Sequence, residues 1–429
     1  MKALYLFNPE NDMALASGSP YYMAPSSIKK MAEDLSALPA WYASAGADVL
    51  LADQRQVSWM TEEFGRLLDA GFTSGISSIY NKVYPWGWNA SLLRHLKECG
   101  LGEDALISEA RMQAVRRLSG RWTSVEMLPR LQMEGTMGES FFVDSMEGVK
   151  AFLAKRESDF SKREGVLLKS PWSGSGKGIR MVSGELDDST CGWVKRVVSS
   201  QGGIVVEPHY DKVVDFAMEF FSDGKEVRFV GYSLFETDKR GIYKGNVLAS
   251  NEEIEARLSL YVSVHILHAV KEKCMDELGG ILSDLYTGCL GVDMMICRRG
   301  DRYAVHPCVE INLRMNMGVV SRLLYDGFLC QGSQGSYVME YYPKPGEALS
   351  FHREMKEKYP VEIESGRIRS GYLSLTPVFQ DTLYQIFILI KLSKKGGMAL
   401  LWLVSVFFWR IKVWIMGKNG NLRQVLAKN

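Results

Sequence analysis

Residues 167–182 read LLKSPWSGSGKGIRMV. Gly174, Gly176 and Gly178 fall close together, Lys177 lies among them, and Lys169 ends the apolar run before them. Glycine backbone that a ligand can approach closely, with lysines nearby, is a common form of phosphate site. Two well-known forms do not fit. A P-loop requires a glycine, four residues and then Gly-Lys-Ser/Thr. Aligned on Gly176 and Lys177, its first glycine falls on Pro171 and its hydroxyl residue on Gly178. A dinucleotide turn requires Gly-x-Gly-x-x-Gly opening a helix. Here the spacing is Gly-x-Gly-x-Gly, and the following IRMV has a strand pattern. The stretch therefore reads as a glycine hairpin between two strands, GVLLKS (165–170) and IRMV. Such a loop folds over phosphates with its backbone N–H groups. The plainer alternative is a hairpin turn without a ligand.

Around this hairpin the pattern is that of a small α/β lid. DSMEGVKAFLAKR (144–156) reads as a helix opened by an Asp-x-x-Glu variant of the capping box. DDSTCGWVKRVVSSQG reads as a helix stopping near Gly202, and GGIVVEP (202–208) as a strand. Upstream, KALYLF and ADVLLA flank a segment with helical spacing, an α/β opening. SLLRHLKECG reads as a helix with Ser91 near its N-cap and Gly100 just past its end. Downstream, VVDFAMEFF and EVRFVGYSLFET read as long strands joined by the turn SDGK. Residues 251–280 read as one long helix with Asn251 as its N-cap and Gly279 or Gly280 as its stop.

The composition is that of a globular chain of two to four domains: 429 residues, 46% hydrophobic and 24% charged. A formal net charge of +1 gives no field for nucleic acid or an anionic membrane. The first apolar run is too short for a signal-peptide core, and the seven scattered cysteines form no Cys-x-x-Cys pair. Reduced thiols in a cytoplasmic protein are the expectation.

A second constellation lies far along the chain. PCVEINLR places Glu310, Asn312 and Arg314 at alternate positions of a strand, hence on one face. GVDMM puts Asp293 on the preceding strand, across the turn RRGDR. Two carboxylates and an amide oxygen are hard ligands suited to Mg²⁺, and a nearby arginine suits phosphate. A solvated polar strand face is the alternative.

Lys169 at a strand end, the SGSGKG hairpin, GIVVEPHYD and the distant GVDMM…CVEINLR together resemble the ATP-grasp family, over residues 116 to about 335. The resemblance implies an α/β fold with an α+β lid: an N-terminal α/β lobe (1–115), a lid subdomain (116–212) and a C-terminal subdomain (213–390). An apolar tail (391–429) lies outside it. It implies ATP and Mg²⁺ as cofactors. By that likeness Lys169 contacts the α- and β-phosphates, and Ser173, Gly174, Ser175, Gly176, Lys177 and Gly178 close on the β- and γ-phosphates. The backbone after Glu207, through Pro208, His209 and Tyr210, holds adenine, and Asp211 or a neighbour reaches ribose. Asp293, Glu310 and Asn312 hold Mg²⁺. Many members carry an arginine two residues before this aspartate; here the position is Gly291. Arg314 or Lys244 is the candidate to supply that charge. SGYLSLTPVF (370–379) is the expected last strand.

The function implied is an ATP- and Mg²⁺-dependent ligase that activates a small-molecule carboxylate as an acyl phosphate for attack by an amine or thiol. The alternatives are a phosphotransferase on the same scaffold and a nucleotide-binding protein without turnover. Other features have blander readings. His265 and His268 form a helical pair without a third ligand. Cys289, Cys297 and Cys308 read as small core residues. Trp86 and Trp88 read as packing between lobes before a stacking platform. Asn8, Glu10 and Asn11 follow the first strand, either as substrate contacts or as a capped turn. In the tail, residues 398–409 carry no charge. As a helix they would span about 18 Å, short of the roughly 30 Å hydrocarbon core. Weak peripheral membrane contact is the expectation there.

Overall fold

The computed structural model describes residues 2–159, 165–173, 178–238 and 242–392. Four of the candidate phosphate residues, Gly174, Ser175, Gly176 and Lys177, lie outside them, and so does the tail from 393 onward.

The opening apolar runs form a parallel sheet in the order β3-β2-β1-β4. Its strands are β1 (Lys2–Leu6), β2 (Asp48–Leu50), β3 (Gly71–Thr73) and β4 (Tyr80–Pro85). Its helices are α1 (Asn11–Ser17), α2 (Ser26–Asp34), α3 (Gln54–Phe64), α4 (Ala90–Glu98) and α5 (Glu109–Leu118). The N-cap of α4 is Asn89, whose side chain accepts from Leu92 N, and Ser91 lies inside the helix. Next, α6 (Arg121–Leu131) leads into the antiparallel lid sheet, ordered β5-β8-β6-β7. These strands are β5 (Phe141–Val143), β6 (Val166–Lys169), β7 (Ile179–Val182) and β8 (Ile204–Pro208). Helices α7 (Met146–Asp159) and α8 (Asp188–Gln201) pack on one lid face against Val166, Leu168, Ile204 and Val206. Period two therefore turns Leu167, Lys169, Val205 and Glu207 to the other face. At the start of α7 it is Ser145, not Asp144, that meets the free backbone N–H of Gly148.

The third sheet is antiparallel, in the order β13-β12-β9-β10-β11-β14-β17-β16-β15. Its strands are β9 (Lys212–Ser222), β10 (Val227–Thr237), β11 (Tyr243–Leu248), β12 (Gly288–Arg299), β13 (Arg302–Asn312), β14 (Ser333–Tyr341), β15 (Glu362–Glu364), β16 (Arg367–Ser374) and β17 (Tyr384–Leu392). The expected long helix is two: α9 (Asn251–Leu258) and α10 (Val264–Leu282). Ser250 and Glu253 form a capping box, Ser263 caps the second helix, and α10 continues through both glycines because Leu278 and Leu282 bury its last turn. The helix α11 (Met317–Phe328) follows β13.

One face of this sheet, with Phe216, Met218 and Phe220, packs on α10 through Leu267, Val270 and Leu278. In a second core, Trp41, Val49 and Trp86 of the N-terminal lobe meet Val320, Tyr337 and Ile388. Trp86 is thus buried packing between lobes, edge-on to Phe7 at 4.9 Å. The stretch 370–379 is not the last strand. β17 follows it and inserts between β14 and β16, with Ile386, Ile388 and Ile390 buried. Its apolar character comes from burial on both faces, and Lys391 and Leu392 belong to it rather than to a tail.

Candidate functional site

The hairpin β12–β13 sets Asp293 directly opposite Glu310, and Gly291 opposite Asn312. Directly opposed side chains in an antiparallel pair lie about 5 Å apart. On the next strand Glu219 pairs with Gly291. Three carboxyls thus share one patch, Glu219 buried and Asp293 and Glu310 half-buried. Asp293 is pushed up to about 7 by burial and then by the Glu310 charge. Glu219 is pushed up to about 8, again first by burial. Glu219 also explains the glycine at 291: a Cβ there would lie 2.4 Å from Asn316 Nδ2 and 2.5 Å from Glu219 Oε2. The carboxyl and the amide, which bond each other at 2.9 Å, fill the space where a side chain at 291 would stand.

Two arginines bring charge to this patch. Arg121, the first residue of α6, donates to Glu310 Oε2 at 2.7 Å, to Ser170 O at 2.6 Å and to Ser173 Oγ at 2.8 Å. It is buried, its Nε has no partner among the described residues, and it ties the start of the glycine loop to the hairpin. Arg314 is gripped bidentately by Asp12, at 2.8 and 2.7 Å, and also donates to Asn312 Oδ1 at 2.9 Å. Asp12 sits in the first turn of α1, so the loop after β1 reaches the hairpin through this ion pair. A narrow cleft between these parts is lined by Asn11, Asp12, Trp172, Ser173, Glu310 and Arg314.

Sequence reasoning missed Arg121 and Asp12. The signal for Arg121 was the break Ser119–Gly120 before a helix start. For Asp12 it was an acid in the first turn after a strand's carboxyl end. Of the residues singled out there, Asn11 lines the cleft, and each has its own surroundings in the loop. Asn8 exchanges hydrogen bonds with the Gly87 backbone, and Asn11 meets Asn89. Glu10 is raised by burial.

On the cleft face of the lid, Lys169 is buried and ion-paired with Glu207, which also accepts from Ser140 Oγ at 3.0 Å. Gly178 O accepts from Ser170 N at 2.8 Å, closing the base of the glycine loop. Pro208 ends β8, His209 N donates to Gly165 O at 2.8 Å, and Tyr210 Oη accepts from Glu139 N at 2.8 Å. Asp211 pairs with Arg298 at 3.3 Å on the surface. Lys244 is exposed on β11, three strands from β12, or about 14 Å. It is not brought to the hairpin, whereas Arg314 is.

His268 pairs with Glu255 at 2.7 Å on the surface, and Cys297 and Cys308 are buried free thiols. Among the described residues no three His, Cys, Asp or Glu side chains are grouped to hold a metal ion, and no helix is long and apolar enough to cross a membrane.

No protein family and no curated protein matches the chain by sequence. Solved structures do match it. A biotin carboxylase–β,γ-ATP complex from Campylobacter jejuni superposes with a TM-score of 0.52 at 13% identity, covering 92% of this chain and 88% of that one. The N5-carboxyaminoimidazole synthetase from Staphylococcus aureus with ADP gives 0.46 at 11% identity, over 91% and 93%. At such identities the first likeness establishes the fold alone, and the second is too distant to argue from. The fold is ATP-grasp.

Proposed function

We propose that the chain is an ATP- and Mg²⁺-dependent ligase that converts a small-molecule carboxylate into an acyl phosphate for attack by an amine or a thiol. The observation that carries this reading is the facing of two charged surfaces across one cleft. The lid presents Lys169 and Glu207; the hairpin presents Asp293, Glu310 and Asn312; Arg121 bridges them. The donor set fits magnesium, which is commonly held by one or two carboxylates with the remaining positions left to water and phosphate oxygens. Asp293 and Glu310 would hold it with Asn312, and it would neutralise phosphate charge during transfer.

The chain's own residues do the rest by position and charge. Lys169 stands at the strand end where the glycine loop begins, within reach of bound phosphates once its pairing with Glu207 is shared. Arg121, anchored by two loop oxygens, keeps a cation between loop and hairpin and is free to exchange Glu310 for a phosphate oxygen. Arg314 fixes the loop after β1, the carboxyl end of a parallel sheet where ligands commonly bind, against the same hairpin. The substrate acid is proposed to lie there.

The test is nucleotide turnover with panels of carboxylic acids, with and without amines, thiols and hydroxylamine. Acid-dependent ADP release with hydroxamate formation in hydroxylamine is the expected result. A stable phosphorylated product without any acceptor requirement would make the protein a phosphotransferase. ATP binding without turnover on any acid would leave a nucleotide-binding protein.

A further inference from the structure

His306 lies on β13 opposite Met295, and Met295 is two residues from Asp293 on β12. The ring therefore follows the Asp293–Glu310 pair along the hairpin, two residues on along β12 and four back along β13 across an irregularity in the pairing. Both of its nitrogens are buried and neither has a hydrogen-bond partner among the described residues. A buried polar group left unpaired costs free energy that a ligand can restore. On β12 Val292, Met294 and Ile296 face the core behind the sheet, so Met295, and His306 opposite it, are turned to the lid side with Asp293.

What covers the ring is specific. A Cβ at Gly138, where φ is +124°, would lie 2.4 Å from His306 Cδ2. The Tyr210 ring stands edge-on at 5.6 Å. Gly138 belongs to the segment entering the lid, between α6 and β5, and Tyr210 to the segment leaving it, between β8 and β9. The two connections are tied to each other, since Glu139 N donates to Tyr210 Oη. Among the described residues the ring is thus covered by the two connections of the lid and by no element of the core behind the sheet.

We propose that His306 selects the nucleotide base, one ring nitrogen accepting a hydrogen bond from the exocyclic amino group of adenine. This rests on the nucleotide reading above. A nucleotide whose phosphates share a magnesium ion with Asp293 and Glu310, and whose base lies toward the lid connections, would carry that base to this ring. Burial lowers the imidazole to about 4, so at neutral pH it is uncharged and keeps one acceptor nitrogen. Hypoxanthine, which places an oxygen where adenine has the amino group, would set two acceptors against each other.

The test compares ATP with ITP by titration calorimetry on the full chain, as wild type, His306→Leu and His306→Asn. Wild type is expected to prefer ATP by about tenfold, the worth of one hydrogen bond, and His306→Leu to bring that ratio close to one. If the variants keep the wild-type ratio, or lose both nucleotides by the same factor, His306 merely packs the lid connections and the proposal is overturned. If wild type binds neither nucleotide, the nucleotide reading falls and takes this one with it. A second measurement needs no variant. Of the chain's six histidines, a buried neutral one is expected to shift its ring ¹⁵N resonances on saturation with ATP and less with ITP. Ring signals unmoved by ATP would overturn the proposal even if the variants failed to fold.

Discussion

The lid face and the β12–β13 hairpin border one cleft and bury charge in opposite ways. The lid sets unlike charges together: Lys169 and Glu207 form an ion pair with side chains 5% and 3% exposed. That pair is balanced without any ligand. The hairpin sets like charges together. Asp293 faces Glu310, Glu219 lies one strand away, and burial raises Asp293 to about 7 and Glu219 to about 8. Arg121 reaches Glu310 from another element, and Arg314 is engaged by Asp12. A region that is strained by its own charges and carries oxygen ligands is suited to receive a cation. A region whose charges already cancel is suited to exchange partners as phosphates arrive.

The largest effect expected from breaking this contrast is at Glu310. Glu310→Ala removes one of the two carboxylates proposed to hold the metal, and Asn312 brings no charge to replace it. Mg²⁺-dependent ATP turnover is expected to vanish in a coupled ADP-release assay. Retention of full turnover would remove the hairpin as the metal site. The change also leaves Arg121 buried without its carboxylate, so thermal stability falls, by about 3 kcal/mol for a broken buried pair. Folding of the variant is therefore checked by circular dichroism before its activity is read.

On the lid the loss is smaller. Lys169→Met is expected to weaken ATP binding by about 1–3 kcal/mol, the range of a charge-assisted hydrogen bond. It also strands Glu207, which is 2% exposed. The companion variant Lys169→Met/Glu207→Gln separates the two effects. It should recover stability and keep the affinity loss. If the double variant bound ATP like wild type, Lys169 would be a structural half of an ion pair and nothing more.

Much of this contrast was legible in the sequence, and the reason is periodicity. Alternation along CVEINLR puts Glu310, Asn312 and Arg314 on one face whatever the fold around them. The failure of both glycine fingerprints at residues 174–178 likewise follows from spacing alone. What was not legible depends on tertiary contact. Arg121 reaches Glu310 across 189 positions and Asp12 reaches Arg314 across 302, and the local cue at each, a break before a helix and an acid after a strand, does not name the partner. Glu219 sits in VVDFAMEFF as one polar residue in an apolar run, and only the approach of Gly291 and Gly318 to its carboxyl reveals its role. The split of α9 from α10 was missed because apolar spacing continues across the break. The cue was Ser263, a second N-cap inside what reads as one helix.

Glu219 gives a pH test of the same contrast. A carboxyl whose value in the folded state is raised from 4.5 to about 8 binds a proton there that the unfolded chain releases. Stability from this group is therefore present below about 4.5 and is lost as pH rises toward 8. Asp293, raised from 3.8 to about 7, acts with the same sign. The wild-type chain is expected to melt lower at pH 8.5 than at pH 6 without nucleotide. Glu219→Gln, which keeps an amide in place of the neutral acid, should narrow that gap. Equal gaps in both proteins would mean that Glu219 is charged at neutral pH and that the patch is stabilised in some other way.

The smallest effect is expected at the end of the described chain, and its smallness is the point. All nine described strands of the sheet lie within residues 212–392. β17 pairs with β14 from Ser333 to Tyr341 and with β16 from Gly371 to Ser374, so its inner residues Ile386, Ile388 and Ile390 are held on both sides. No group named at the cleft lies beyond Asn316. A chain ending at 392 should therefore match the full chain in melting temperature and ATP affinity. A chain ending at 382 removes β17 and its buried isoleucines, at about 2–5 kcal/mol for each large core side chain lost, and should not fold. If the 392 chain also melted early or lost ATP binding, residues 393–429 would be part of the folded domain, and the lid and hairpin would not be its complete functional core.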